Sequence, residues 1–275
     1  MAAPAGSGAD LVARAVAAKM GATVENGTAE TVAKAGPDGS VLLFATPTLT
    51  ASIALSKVPY DGLRAFAPVA RVANEPFVLV ATSTLSTSSL FDFIALAKAN
   101  PGQISYASAG RGSASHLAFE LLKSAGTVNL KHVAARSMED AVADVIAGNA
   151  KVAFAPYGAV STALRAGKLK ALAVTGPSRL PLLPDVPTMR ESGLLDYAFD
   201  AWLGVLAPAT ASKATVDRVN EALRKAMQSP DLRDKLTALL GVEPRASTPD
   251  EFAAVLKRDV ATFEKVGREL SFRLD

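Results

Sequence analysis

The chain has 275 residues, 49% of them hydrophobic, a net charge of +3 and no cysteine. That length allows one large domain or two of about 100 to 150 residues, and no run of about 20 apolar residues offers a bilayer span. Interleaved acids and bases with few aromatics give neither a phosphate-tracking stripe nor a base-stacking platform, so nucleic acid is not an expected partner. The missing thiol excludes disulfides, zinc–cysteine sites and cysteine nucleophiles.

The N-terminal Met1-Ala2-Ala3-Pro4 has neither the basic start nor the apolar core of an export signal, which leaves a cytoplasmic protein or a removed leader. The first feature with chemical content is the turn Ala5-Gly6-Ser7-Gly8-Ala9-Asp10, which runs straight into a helix expected over 11–20. A second such turn, Ser108-Ala109-Gly110-Arg111-Gly112-Ser113, lies between the strand-like 104–107 and a helix expected over 116–125. The first turn of a helix carries N–H groups without internal partners and a partial positive charge, so small residues there let an anion reach the bare backbone. Two such turns could grip one carboxylate or phosphate. The plainer alternative is that Gly and Ser only cap and turn.

Strand-like apolar runs at 41–46, 77–81, 104–107, 152–155 and 169–174 alternate with helix-period segments, the pattern of βα units on a mostly parallel sheet. Ser88-Ser89 caps a helix over 90–99 that Asn100-Pro101-Gly102 stops, and a helix over 138–147 ends at Gly148-Asn149. The Pro-rich stretch 177–187 reads as a loop. Beyond a strand at 202–207, apolar sets at Val216, Val219, Leu223 and Met227, then at Phe252, Leu256, Val260 and Phe263, predict two amphipathic helices. Crossings at Gly102-Gln103 and around 200–203 predict a discontinuous first lobe, 1–102 plus 203–275, and a second lobe, 103–202.

His116 with Ser113 and Ser115 is the sharpest enzyme candidate, but the chain has no Gly-x-Ser-x-Gly elbow. His116 is expected to point into a cleft or to pack, and His132 to be structural. Two His residues sixteen apart, without Cys, give no metal-ligand set. Gly110-x-Gly112-x-x-Ser115 departs from the dinucleotide fingerprint at its third glycine, so no cofactor is expected. Arg136, after the strand 131–133, could meet the far end of a ligand. Thr46, Tyr157 and Trp202 stand at strand ends, where ligands of open α/β sheets collect, although an aromatic there also serves packing.

The run from Ala99 to Leu117, Ala-Asn-Pro-Gly-Gln-Ile-Ser-Tyr-Ala-Ser-Ala-Gly-Arg-Gly-Ser-Ala-Ser-His-Leu, closely resembles the signature of the tripartite tricarboxylate transporter substrate-binding proteins, also called the Bug family. So do Tyr60-Asp61 with Phe66-Ala67-Pro68-Val69, the stretch Leu169 to Thr175, Pro184-Asp185-Val186-Pro187-Thr188, and Trp202 with Gly204 and Ala207-Pro208. The matches keep the family's order from residue 6 to about 267. The resemblance implies an α/β, two-lobed, type II periplasmic binding protein that closes over a small organic acid anion and hands it to the membrane components of its transporter. It implies a periplasmic monomer without enzymatic activity. It also implies that the loops around Ser7, Gly8, Ala9 and Asp10 and around Ser108, Ala109, Gly110, Gly112 and Ser113 hold a carboxylate through N–H groups, hydroxyls and water.

Three departures from the family are visible. The given sequence starts almost at the first loop, so the family's preceding strand is expected to be absent; the glycine-rich stretch after Val24-Glu25-Asn26 is shortened to Gly27-Thr28-Ala29, and Ala134-Ala135 and Ala155 replace a usual Pro-Tyr and a frequent Asp. Two competing readings follow: a hydrolase-like enzyme of α/β fold using Ser113 and His116, and a degenerate homologue that no longer binds.

Overall fold

The computed structural model describes residues 7–197, 199 and 201–274, without the side chains of 238–240. Ala5 and Gly6 of the first expected loop, and Asp200 at the expected return crossing, lie outside the described residues. In chain order the elements are α1 (Gly8–Met20), α2 (Ala29–Ala33), β1 (Leu43–Ala45), α3 (Pro47–Leu55), β2 (Phe66–Asn74), β3 (Phe77–Thr82), α4 (Leu90–Ala99), β4 (Ser105–Ser108), α5 (Ala114–Gly126), β5 (Lys131–Ala134), α6 (Met138–Ala147), β6 (Val152–Pro156), α7 (Tyr157–Arg165), β7 (Leu169–Val174), β8 (Trp202–Pro208), α8 (Lys213–Met227), α9 (Pro230–Leu240), β9 (Glu243–Pro244) and α10 (Pro249–Glu269).

Local chemistry sets most helix ends. Ser7, Thr28, Thr46, Ser89, Ser113, Ser137, Ser212 and Thr248 each accept a first-turn N–H on the side-chain oxygen. Gly21, Gly148 and Gly241 close α1, α6 and α9 in the left-handed conformation.

The chain folds as two units, Met1–Glu75 with Trp202–Asp275, and Pro76–Ala201. The first unit is discontinuous, and its outward crossing lies at Glu75/Pro76, where Gly102-Gln103 was the expected position. The reason is pairing: β3 lies between β6 and β7 in one five-stranded sheet, which carries β3 and the following α4 into the second unit.

In the first unit the sheet order is β1-β8-β2-β9 and every described ladder is antiparallel. Parallel pairing fails here: β8, which sits between β1 and β2, runs against both of them. Side chains alternate between two apolar layers. Phe44, Leu203, Val205 and Ala207 join Val12 and Val16 of α1 and Val219 and Leu223 of α8. Leu43, Ala45, Trp202 and Leu206 join Phe252 and Leu256 of α10. Trp202, a candidate strand-end contact by sequence, is fully buried in the second of these layers and donates Nε1–H to Asp259 Oδ2 at 2.5 Å. Asp259 therefore takes the buried face expected of Val260, which is only half-buried.

The second unit has sheet order β5-β4-β6-β3-β7. Its β5-β4-β6 portion is parallel, as βα alternation predicts, while β3 runs antiparallel to both neighbours. Val78, Val80, Ala107, Ala153 and Ala155 pack with α6 and α7 residues on one face. Aromatic contacts among Tyr106, Phe119, Phe154 and Tyr197 tie α5 to β4 and β6.

Candidate functional site

Because β5, β4 and β6 are parallel neighbours, their C-terminal ends share one sheet edge. This edge gathers the loop from Ser108 to Ser113, the turn holding Arg136, and Tyr157 at the first residue of α7. It is the end of an open α/β sheet at which ligands collect. The two strand-end loops touch: Ala135 N–H donates to Ser108 O at 2.9 Å.

The loop is held mainly by its own side chains. Gly110 and Gly112 take φ of 106° and 77°, which glycine alone adopts without strain. Ala109 N–H donates to Ser115 Oγ (3.1 Å), Gly110 N–H to Ser108 Oγ (3.2 Å) and Gly112 N–H to His116 Nδ1 (2.9 Å). Of the loop amides that sequence reasoning offers to a ligand, those of Ala109, Gly110 and Gly112 are thus engaged inside the loop, as is that of Ser113, which donates to Gly110 O at 3.2 Å. Residue spacing does not show where a hydroxyl points. The next amides, those of Ala114 and Ser115, open α5 and have no carbonyl four residues back inside the helix.

Ser113 Oγ donates to Gly110 O at 2.7 Å and accepts His116 N–H at 3.3 Å. A nucleophilic Ser113–His116 pair requires the hydroxyl proton to face the imidazole, whereas here it faces a carbonyl while His116 Nδ1 accepts from Gly112. His116 is 3% exposed and stacks on His132, with ring centroids 4.0 Å apart. Burial, then the neighbouring His132, Lys123 and Arg111, pushes it down to about 3. Burial likewise lowers His132, whose Nε2 lies 2.7 Å from Ser108 Oγ. Both rings are therefore neutral at pH 7 and offer hydrogen bonds rather than positive charge.

Beneath them lies a network that sequence reasoning missed. Tyr106 Oη donates to Glu120 Oε1 at 2.8 Å, Lys123 Nζ donates to Glu120 Oε2 at 2.8 Å, and His116 Nε2 stands 3.6 Å from Glu120 Oε1. The spacing of His116, Glu120 and Lys123 on one helix face is the signal that could have found it. Arg136, in contrast, is 93% exposed along its side chain and pairs with Asp140.

In the first unit, Ser7 caps α1 by accepting Asp10 N–H at 3.3 Å, and the amides of Gly8 and Ala9 open the helix. The Asp10 side chain is buried and bound by Arg14 Nε at 3.0 Å, so its carboxylate serves its own helix. Thr46 caps α3 by accepting Thr48 N–H. Among the described residues, no cluster of three or more His, Asp or Glu is arranged to hold a metal ion.

The profile of the tripartite tricarboxylate transporter family receptor matches residues 12–271. The chain belongs to that receptor family. Among solved structures, the receptor is similar to one described as a periplasmic transporter, at 30% identity and a TM-score of 0.84 over 99% of this chain and 96% of that one. It is also similar to R. palustris Rpa4515 with adipate, at 28% identity and a TM-score of 0.81 over 94% and 91% of the two chains. A third is MatC from Rhodopseudomonas palustris with bound malate, at 28% identity and a TM-score of 0.80 over 96% and 95%. The chain is likewise similar to the periplasmic binding protein BugD, at 29% identity and a TM-score of 0.80 over 98% and 95% of the two chains, so its fold is that of periplasmic binding proteins, as the resemblance implied.

Proposed function

We propose that this receptor captures a small organic carboxylate and delivers it to the membrane components of a tripartite tricarboxylate transporter, working as a periplasmic monomer without catalysis. The observation that carries this reading is the shared C-terminal edge of β4, β5 and β6, where α5 begins beneath a glycine loop whose imidazoles are neutral. Uncharged donors at a helix N-terminus suit a carrier, because a carboxylate is held firmly yet released without breaking a buried ion pair. Family relatives solved with adipate and malate support the ligand class. The first turn of α1, with Gly8 and Ala9, offers a second set of amides of the same kind.

Thermal and urea unfolding with mono-, di- and tricarboxylates test the reading. A ligand at about 100 times its Kd stabilises the native protein by roughly 2.7 kcal/mol. A folded sample that responds to none of them contradicts it and favours the degenerate-homologue reading.

A further inference from the structure

Glu75, the last residue of the first unit's outward segment, is a buried carboxyl that nothing above uses. It is 8% exposed, and its Oε1 has no hydrogen-bond partner among the described residues. That oxygen lies against the start of α1: a Cβ built on Gly8 would overlap it. An unpartnered acceptor buried at a helix N-terminus occupies the place where an incoming anion would be attracted.

Two carboxylates cannot both stay ionised at one desolvated helix end. The charged groups on the surrounding elements do not relieve Glu75. On α1, Asp10 is already bound by Arg14. Arg71 stands on β2, and Glu243 of β9 faces the neighbouring Asn74 in the strand register. Burial alone raises Glu75, from 4.5 to about 7.

We propose that Glu75 carries a proton in the liganded receptor and donates it as a hydrogen bond to a ligand carboxylate held at the start of α1, so that each anion captured brings one proton with it. The proton comes from solvent on binding and returns to it on release. This assignment rests on the carboxylate-receptor reading and adds a recognition residue and a proton to it.

The test is calorimetric titration of the wild-type chain with malate and with adipate between pH 6 and 9, in buffers of different ionisation enthalpy. The expected result is uptake of about one proton at pH 8 and an increase in Kd of about a hundredfold from pH 6 to 9. Glu75→Gln, which keeps a donor of the same shape, should bind with a Kd that is flat across this range and without proton uptake. A wild-type Kd that is flat with pH, with no buffer dependence, overturns the role of Glu75 while leaving the receptor reading intact. Loss of binding in a folded Glu75→Gln chain also overturns it. Absence of binding by the wild type at every pH overturns the receptor reading, and the role of Glu75 with it.

Discussion

His116 and His132 lie ring on ring, with centroids 4.0 Å and planes 7° apart. One comes from the first turn of α5 and the other from β5, and each bonds the glycine loop, through Gly112 N–H and Ser108 Oγ respectively. Of the two stacked rings His116 is buried and His132 half-buried, so protonating His116 puts a poorly solvated charge beside its neighbour and costs the hydrogen bond it accepts from Gly112 N–H. His116 falls from 6.5 to about 3 on folding. The unfolded chain therefore binds more protons than the native one between these values, and stability is lost as pH falls below 6.5. The loss approaches about 1.4 kcal/mol per pH unit, or about 3 kcal/mol by pH 4. Urea unfolding from pH 7 to 4 measures it. His116→Gln should flatten that acid limb, and an unchanged slope would remove the imidazole as its cause.

Glu75 acts with the opposite sign. Its folded value stands above its unfolded one, so its contribution is fully present below 4.5 and is lost as pH rises through about 7. The total is about 3 kcal/mol. Glu75→Gln should therefore gain on the wild type as pH increases from 4.5 to 7 and keep that gain above it. Parallel stability curves for the two chains would show that Glu75 titrates normally.

Gly8→Ala separates helix propensity from packing. In an exposed helix the change stabilises, whereas here the new Cβ overlaps Glu75 Oε1. We expect a loss of about 1–3 kcal/mol by urea unfolding, largely restored when Glu75→Ala is added. A stabilised Gly8→Ala single variant would mean that the Glu75 carboxyl moves clear of the new methyl at little cost.

The bond from Trp202 Nε1 to Asp259 Oδ2 joins β8 to α10 beside an apolar layer. Removing the acceptor in Asp259→Ala strands a buried indole N–H, which costs about 1–3 kcal/mol. Trp202 is the chain's one tryptophan, so its fluorescence reports the change directly. Unaltered emission together with unaltered stability would show that water replaces the carboxylate.

Several elements were legible because one local cause sets them. Ser89 and Ser137 begin α4 and α6, Gly148 ends α6, and the apolar stripe of α8 buries Val216, Val219, Leu223 and Met227 as spacing predicts. β2 escaped a strand reading because Pro68 and Arg71 interrupt its pattern. The ladder accommodates both at register shifts, between Pro68 and Ala70 and between Arg71 and Ala73. The crossing at Glu75/Pro76 was illegible for a different reason: Phe77–Thr82 is apolar on both faces and carries no mark of which sheet it joins. At the site, the family motif located the glycine loop, but only the folded chain shows Ser108, Ser115 and His116 consuming its amides. Glu75 went unnoticed because a single acid between two strands looks solvated until a helix end is packed against it.

The account turns on how the anion is held, and a crystal structure of the receptor saturated with malate or adipate measures that directly. It predicts a ligand carboxylate within hydrogen-bond distance of the first-turn amides of α5, at Ala114 and Ser115, or of α1, at Gly8 and Ala9, with no Lys or Arg side chain on the same oxygens. A carboxylate gripped by Arg136 or another cationic side chain, away from both helix ends, would contradict it.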